Sequence, residues 1–381
     1  MGPLAGIRVL EFEAIGPGPF CGMMLADMGA DVLLVDRPQD PGLGLRGERW
    51  SDVMLRGRRS VTLDLKSPGG PEAALALAAR ADVIIEGFRP GVMERLGLGP
   101  DVVLARHPRV VYGRVTGWGQ DGPLAPRAGH DLDYIALSGA LHAIGRAGAA
   151  PTPPLNLVGD FGGGGMLLAF GVVSALVEAE RSGRGQVVDA AIVEGASLLT
   201  TMLWGLRAAG RWTDERGANV LDSGAPWYDV YATLDGRHVA IAAIEPKFYA
   251  ELLARLGLAS ERLPAQDDRA GWPALRARFA AIFATRTRDA WCDAFDGADA
   301  CFAPVLTFAE SATHPHALAR RAHVTVADVA QPAPAPRFSR TAGAVRRPPP
   351  ERGAHGRDAL SDWGFSAADV EGLASQGLGF R

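Results

Sequence analysis

Ile7-Arg8-Val9-Leu10-Glu11-Phe12, a helical pattern over Gly18 to Met28, and Asp31-Val32-Leu33-Leu34-Val35-Asp36 form the stretch from which the fold is read. Two short apolar runs of branched residues suit strands buried on both faces, and the helix between them is a crossover. The pattern repeats. Ser60 to Leu65, Asp82-Val83-Ile84-Ile85-Glu86 and Val110-Val111-Tyr112-Gly113-Arg114-Val115 read as strands, with a helix over Gly70 to Arg80. Strands alternating with helices predict an α/β fold with a doubly wound, Rossmann-like parallel sheet.

The 381 residues are enough for two domains with sizeable cores. At 48% hydrophobic and 22% charged the composition is that of an ordinary globular protein. A net charge of −4 gives no reason to expect nucleic acid or an anionic membrane as partner. Cys21, Cys292 and Cys301 lack metal-ligand spacing, and there is no His-x-x-His or Cys-x-x-Cys, so no metal is expected. Scattered thiols and no basic segment before an apolar run predict a cytoplasmic protein. The most apolar helix candidate, Met166 to Val177, reads as too short to span a bilayer.

Further along, Gly164 to Glu180 reads as a long helix ended by Ser182-Gly183, Gln186 to Ile192 as a strand, and Glu194 to Ala209 as a helix. These complete a large domain over 1–209, with 210–227 as a polar linker. A smaller α+β domain is expected over 228–328. It opens with a hairpin, Tyr228 to Leu234 and Arg237 to Ile244 around Asp235-Gly236. Pro246 suits the first position of a helix running to Leu256, and helices follow near Trp272–Thr285 and Thr287–Phe295. Six prolines make 329–352 an extended strap, and the tail from Ala359 to Gln376 reads as helical.

Gly16-Pro17-Gly18-Pro19-Phe20-Cys21-Gly22 lies where a dinucleotide fingerprint would fall, and Asp36 closes the second strand. Pro17 and Pro19 have no N–H to offer a pyrophosphate, and the spacing misses G-x-G-x-x-G, so a structural turn is the better reading. Asp36-Arg37, Arg56-Gly57-Arg58-Arg59, Leu63 to Lys66 and Glu86 to Pro90 fall near strand ends, the edge where ligands bind in such sheets. Several cations there suit a polyphosphate, and a solvated charged face is the plainer reading of any one of them.

Two glycine-framed residues carry the chemistry: His130 in Gly129-His130-Asp131-Leu132-Asp133-Tyr134, and Asp160 in Asn156-Leu157-Val158-Gly159-Asp160-Phe161-Gly162-Gly163-Gly164-Gly165. A histidine and a carboxylate facing one carbon from opposite sides can take a proton from one face and return one to the other. His130 could instead be a buried histidine holding a loop, and Asp160 a helix N-cap. The glycine run has the composition of a phosphate cradle but lacks the Lys-Ser/Thr of a P-loop. Glu245 either begins a helix or orients a catalytic imidazole.

Together with Asp31 to Pro38, Glu86 to Gly91, Thr116 to Pro123, Gly185 to Ala190 and Ala242 to Pro246, these frames resemble the class III (family III) CoA-transferase superfamily, and within it the bacterial α-methylacyl-CoA racemases. The resemblance covers nearly the whole chain and is weakest at 40–50 and after 340. It implies interconversion of (R)- and (S)-2-methylacyl-CoA by 1,1-proton transfer at C2 through an enolate, with no separate cofactor, because CoA is part of the substrate. It implies His130, supported by Glu245, on the S face and Asp160 on the R face, with Asn156 beside Asp160 and backbone N–H groups near Asp131 and the start of the 164–180 helix on the enolate oxygen. CoA contacts would fall on Arg37, Leu63, Asp64, Leu65, Lys66, Gly87, Phe88, Arg89, Arg95 and Gly129 through Tyr134, with the acyl tail near Met202. It also implies an interlocked homodimer whose active site joins the large domain of one chain to the small domain of the other, with the C-terminal 335–381 completing the large domain. The alternatives are a CoA transferase with Asp160 as nucleophile, which the histidine at 130 disfavours, and a non-catalytic CoA-binding protein.

Overall fold

The structure, a computed structural model, describes residues 2–42, 44–45 and 47–381. The chain divides into two compact units. The first comprises residues 1–138, 155–199 and 319–381, and the second 139–154 and 200–318.

The first unit is built on six parallel strands: β1 (Arg8–Phe12), β2 (Asp31–Asp36), β3 (Arg59–Thr62), β4 (Val83–Glu86), β5 (Val111–Thr116) and β6 (Val187–Ala191). Their order is β3-β2-β1-β4-β5-β6, the doubly wound order in which chain direction reverses between β1 and β4. Leu10, Leu33, Ile84 and Tyr112 enter a core on one face, and Val9, Val32, Ile85 and Val111 enter a second core on the other. Burial on both faces explains the uninterrupted apolar runs in the sequence. The C-terminal segment forms two helices, Gly356–Asp362 and Ala367–Ser375, rather than one. Gly364 at φ +84° interrupts them, and Ser366 and Asp369 cap the second. Buried Trp363 packs into the first core.

The expected Gly164–Glu180 helix begins earlier. Residues Leu157–Met166 form a wide π-helical turn that runs directly into the α-helix Leu167–Ser182. The resulting 26-residue segment, Leu157–Ser182, is long and apolar enough to cross a membrane by length and composition, so the length argument from Met166–Val177 does not hold. Its Leu168 and Val172 nevertheless press on Gly113 of β5, as in a sheet-covering helix. The opposite face leaves Met166, Phe170, Val173 and Val177 exposed, Phe170 at 72%.

Glycines make the π-helical turn fit. A Cβ on Gly163 would lie 2.6 Å from the Ala196 nitrogen, one on Gly164 2.9 Å from Pro17, and one on Gly165 2.8 Å from Phe20. The helices Pro17–Asp27 and Ile192–Leu199 therefore meet this turn almost backbone to backbone. The run is a packing surface and not a phosphate cradle. The helix expected over Glu194–Ala209 is two, Ile192–Leu199 and Thr201–Ala208, broken at Thr200 where the units divide.

The second unit carries the antiparallel sheet β7 (Tyr228–Ala232), β8 (His238–Ala242) and β9 (Phe302–Pro304). Asp235-Gly236 turns the hairpin as expected. Only Gly236 has positive φ (+73°), and Thr233 N–H donates to the Arg237 carbonyl at 2.9 Å. The loop thus has three residues with glycine in the left-handed position, and not two in a primed turn. Trp227, Tyr231, Phe279, Phe283 and Trp291 fill this core. Residues 213–224, read as linker, are an ordered loop. Buried Asn219 donates to the carbonyls of Thr213 (3.1 Å) and Glu215 (3.3 Å). Residues 139–154 join this unit through long-range polar contacts, since Arg146 pairs with Asp229 and Arg216 donates to the carbonyls of His142 and Ala149.

Residues 329–352 begin with β11 (Val329–Pro332), which pairs with β10 (His323–Val326), and then run extended along the first unit. Gly57 N–H donates to the Arg347 carbonyl at 2.9 Å, and Arg49 Nε to the Pro350 carbonyl at 2.7 Å.

Candidate active site

The charged groups near the strand ends separate into two kinds. Arg58 is fully buried and forks onto Glu11, with contacts of 2.9 and 3.1 Å. Arg56 pairs with Asp27 at 2.5 Å, and Arg59 with Asp362 at 2.6 Å. These three arginines fit neither a polyphosphate site nor a solvated charged face and are internal to the fold. Asp36 is also spoken for. Its fully buried carboxylate accepts from Arg49 (2.6 and 3.0 Å) and Ser60 (2.5 Å), which leaves it unable to receive a ribose hydroxyl.

The second kind faces a cleft of about 640 Å³ at the carboxyl edge of β1 to β4. Arg37, Leu63, Asp64, Leu65, Lys66 and Phe88, to which the resemblance assigns CoA contacts, line it. So do Pro38, Gln39, Pro41, Val92 and Leu96, which the sequence reading did not single out although the first three directly follow β2. Arg37 is set from below. Its N–H donates to Glu13 at 2.8 Å, and its carbonyl accepts from Arg352 at 2.9 Å. Glu86 accepts the Phe88 N–H at 2.7 Å and so fixes the 87–89 loop. Arg89 and Arg95 are exposed beside the cleft and, with Gly87, lie outside its lining. Among the described residues no ion pair engages Arg37, Lys66, Arg89 or Arg95. Free cations around an apolar-walled cleft suit a ligand that joins phosphates to an apolar body.

His130 and Asp160 lie farther along the same edge. His130 is the N-cap of the helix Asp131–Leu137, with its N–H held by Asp133 at 2.9 Å and its side chain exposed. It is therefore not a buried loop-holding histidine. Asp160 is not an N-cap either. It sits within the π-helical turn, in the first turn of the continuous helix, where the dipole favours negative charge. Such wide turns recur at functional sites. Because the helix begins at Leu157, no free N-terminus exists at 164 to hold an enolate oxygen, and only the start of the Asp131–Leu137 helix remains of the two N–H sources expected.

The two frames are physically joined. Asp131 Oδ1 accepts the Asp160 N–H at 2.6 Å. Asn156 Nδ2 reaches Asp160 Oδ2 at 3.5 Å, and a Cβ on Gly16, in the turn after β1, would lie 3.3 Å from the same oxygen. Burial pushes the Asp160 carboxyl above the ordinary aspartate range, the neighbouring Asp131 charge adds to this, and Asn156 and His130 oppose it. Burial likewise raises Asp131, against the N–H groups of Asp160 and Gly159. Tyr134 packs edge-on to Trp118 at 4.7 Å and donates to the Gly129 carbonyl. Its phenol is pushed up to about 12, chiefly by burial and then by Asp160. Gly117 and Gly129 are glycines because Tyr134 occupies the space of their Cβ atoms, at 2.0 and 2.7 Å.

Glu245 belongs to the second unit. It caps the helix Pro246–Arg255 with extended backbone and an exposed side chain, and Gln266 fixes the preceding strand end by donating to the carbonyls of Ala243 (3.0 Å) and Ile244 (2.9 Å). Met202 also lies in the second unit and is exposed.

Fold and site are those of a doubly wound α/β protein with a cleft of about 640 Å³ and, farther along the same sheet edge, His130 and Asp160 on joined elements. The chain belongs to the CoA-transferase family III, whose family model matches residues 4–356. It is 48% identical over 374 residues to the α-methylacyl-CoA racemase of Mus musculus, covering 98% of this chain and 96% of that protein. It is 44% identical to the α-methylacyl-CoA racemase of Homo sapiens, with the same coverage of 98% and 96%. Among solved structures it resembles a CAIB/BAIF family protein from Brucella suis, with a TM-score of 0.81 and 26% identity, over 95% of this chain and 99% of that one.

Proposed function

We propose that this protein is an α-methylacyl-CoA racemase that moves a proton between the two faces of C2 in a 2-methylacyl-CoA thioester. The observation that carries the reading is the setting of Asp160. Burial and Asp131 raise this carboxyl, among the described residues only Asn156 donates to it, and His130 acts on it electrostatically from the adjoining helix. Such a carboxyl holds its proton more readily than an ordinary aspartate, which suits an acid–base partner of a histidine.

The 640 Å³ cleft takes the nucleotide end of CoA, with Arg37 and Lys66 facing its phosphates. The thioester reaches along the edge to His130 and Asp160. One of the two removes the C2 proton while the other, already protonated, delivers its own to the opposite face. The negative charge passing through the thioester oxygen is met by the Asp131 and Leu132 N–H groups at the start of the Asp131–Leu137 helix, since those of Asp133 and Tyr134 go to the His130 carbonyl. His130 works on the S face and Asp160 on the R face.

The working form is a homodimer in which Glu245 of one chain supports His130 of the other. Its support is the exposed apolar stripe of Met166, Phe170, Val173 and Val177, continued by Leu198 and Leu199, a surface that a monomer would leave in water.

Incubating a single enantiomer of a 2-methylacyl-CoA in heavy water tests the reading. Deuterium should appear at C2 in step with loss of optical purity. A CoA transferase would instead yield an acyl-Asp160 anhydride trapped by hydroxylamine, and a binding protein would leave C2 unlabelled.

A further inference from the structure

Asp131 is buried, at 7% exposure, yet no guanidinium reaches its carboxylate among the described residues. The buried carboxylates Glu11, Asp27 and Asp36 all have one. Oδ1 of Asp131 accepts the peptide N–H of Asp160 at 2.6 Å, and the Gly159 backbone also favours the Asp131 charge. Oδ2 is buried with no hydrogen-bond partner among the described residues. The acceptance has a simple cause on one side. The Asp160 N–H lies in the first turn of its helix, where no intrahelical carbonyl is available. Asn156, the N-cap of this turn, does not accept it with its side chain, whose amide turns to Asp160 Oδ2. The acceptor comes instead from a helix 29 residues earlier, and from the residue next to His130.

We propose that the Asp131 side chain is a positioning residue for the racemase reaction, clamping the π-helical turn of Asp160 to the helix end that carries His130 so that the two move as one piece. The proposal rests on the racemase reading and names how its two proton carriers are kept at a fixed spacing. Gly159 belongs to the same device. A Cβ there would lie 2.3 Å from Asp131 Oδ1 and 3.0 Å from Ile135, so only glycine lets the carboxylate reach the backbone. The clamp also places a negative charge against Asp160. The other groups facing Asp160 are His130 and Tyr134 on the Asp131–Leu137 helix and the amide of Asn156 on its own turn, with Arg89 acting on Tyr134.

Two variants break the clamp differently. Asp131→Asn keeps an oxygen for the Asp160 N–H but removes the charge. Gly159→Ala keeps the charge but drives the carboxylate off the backbone. The Asp160 carboxyl of the unliganded protein, labelled with carbon-13 and assigned by loss of its signal in Asp160→Asn, is titrated by NMR. In Asp131→Asn it should titrate about half to one pH unit lower, and the limb of the pH–rate profile that follows Asp160 should move with it. Gly159→Ala should lower kcat at least about tenfold while KM for the thioester changes less than about twofold, because a small misplacement of reacting groups costs that much. An unmoved Asp160 titration in Asp131→Asn, or a kcat within about twofold of wild type in Gly159→Ala, overturns the proposal. The titration needs no substrate. If the wild type fails to exchange deuterium, the racemase reading falls while the titration still judges the electrostatic half of the clamp.

Discussion

The Asp36 and Asp160 carboxylates belong to the same unit and are opposites in their surroundings. Asp36 is wrapped by Arg49, Ser60 and Arg352, and together with Glu13 it fixes the chain beneath the cleft. Asp160 has an amide at 3.5 Å and a second carboxylate nearby. Both are buried enough for desolvation to count. Among the described residues Asp36 pairs with two guanidinium groups, whereas none pairs with Asp160. Family membership does not explain this division, but the requirements of charge burial do.

The contrast can be broken most severely at the chemistry. His130→Ala and Asp160→Ala should each lower the racemisation rate by about 10³-fold, the scale of a lost general acid or base. A chiral assay of the thioester checks this, and residual racemisation within tenfold of wild type would remove the residue from the reaction. On the structural side, Arg58→Met strands the Glu11 charge in the core. It should cost about 3–5 kcal/mol in urea unfolding, as breaking one side of a buried pair does. A loss below about 1 kcal/mol would mean that water reaches Glu11.

Between these lie the free cations of the cleft. Arg37→Ala and Lys66→Ala should each raise KM for the CoA thioester about tenfold with little change in kcat, and the difference should shrink as salt is added. A fall in kcat at unchanged KM would place them in the proton transfer instead. The smallest expected effect sharpens the comparison from the stability side. Because the folded-state pKa of Asp160 is raised, its favourable contribution to folding is complete only below the unfolded value, near 3.9, and is lost as pH rises through the folded value. Asp160→Asn should therefore melt a degree or two higher than wild type, roughly, at pH 8, and the advantage should vanish near pH 4. Calorimetry at the two pH values reads this, and an equal difference at both would contradict it.

Much of the fold was legible because its signals are local. β2 was read residue for residue as Asp31–Asp36, and the hairpin at Asp235-Gly236 and the helix opened by Pro246 follow from turn and cap chemistry. What the sequence hid is long-range. Arg56, Arg58 and Arg59 look like a basic cluster, but their carboxylate partners Asp27, Glu11 and Asp362 lie 29, 47 and 303 residues away. The same holds for residues 139–154, whose Arg146 meets Asp229. Asp160 before a glycine run reads as an N-cap. It is instead inside a helix because those glycines let two other helices press on the turn, a fact set by Pro17, Phe20 and Ala196. In the site, Arg37, Leu63 to Lys66 and Phe88 of the cleft are legible in the sequence, whereas Val92 and Leu96 are not and Gly87, Arg89 and Arg95 lie outside the lining. The Asp131 clamp is not legible either, since nothing local shows that the carboxylate beside His130 bonds to the backbone of Asp160.

The central claim is that two different bases address opposite faces of one carbon. Deuterium wash-in from each pure enantiomer, measured for His130→Ala and Asp160→Ala, tests it most directly. His130→Ala should exchange C2 of the R thioester alone and Asp160→Ala that of the S thioester alone. Exchange of both enantiomers by either variant would contradict it.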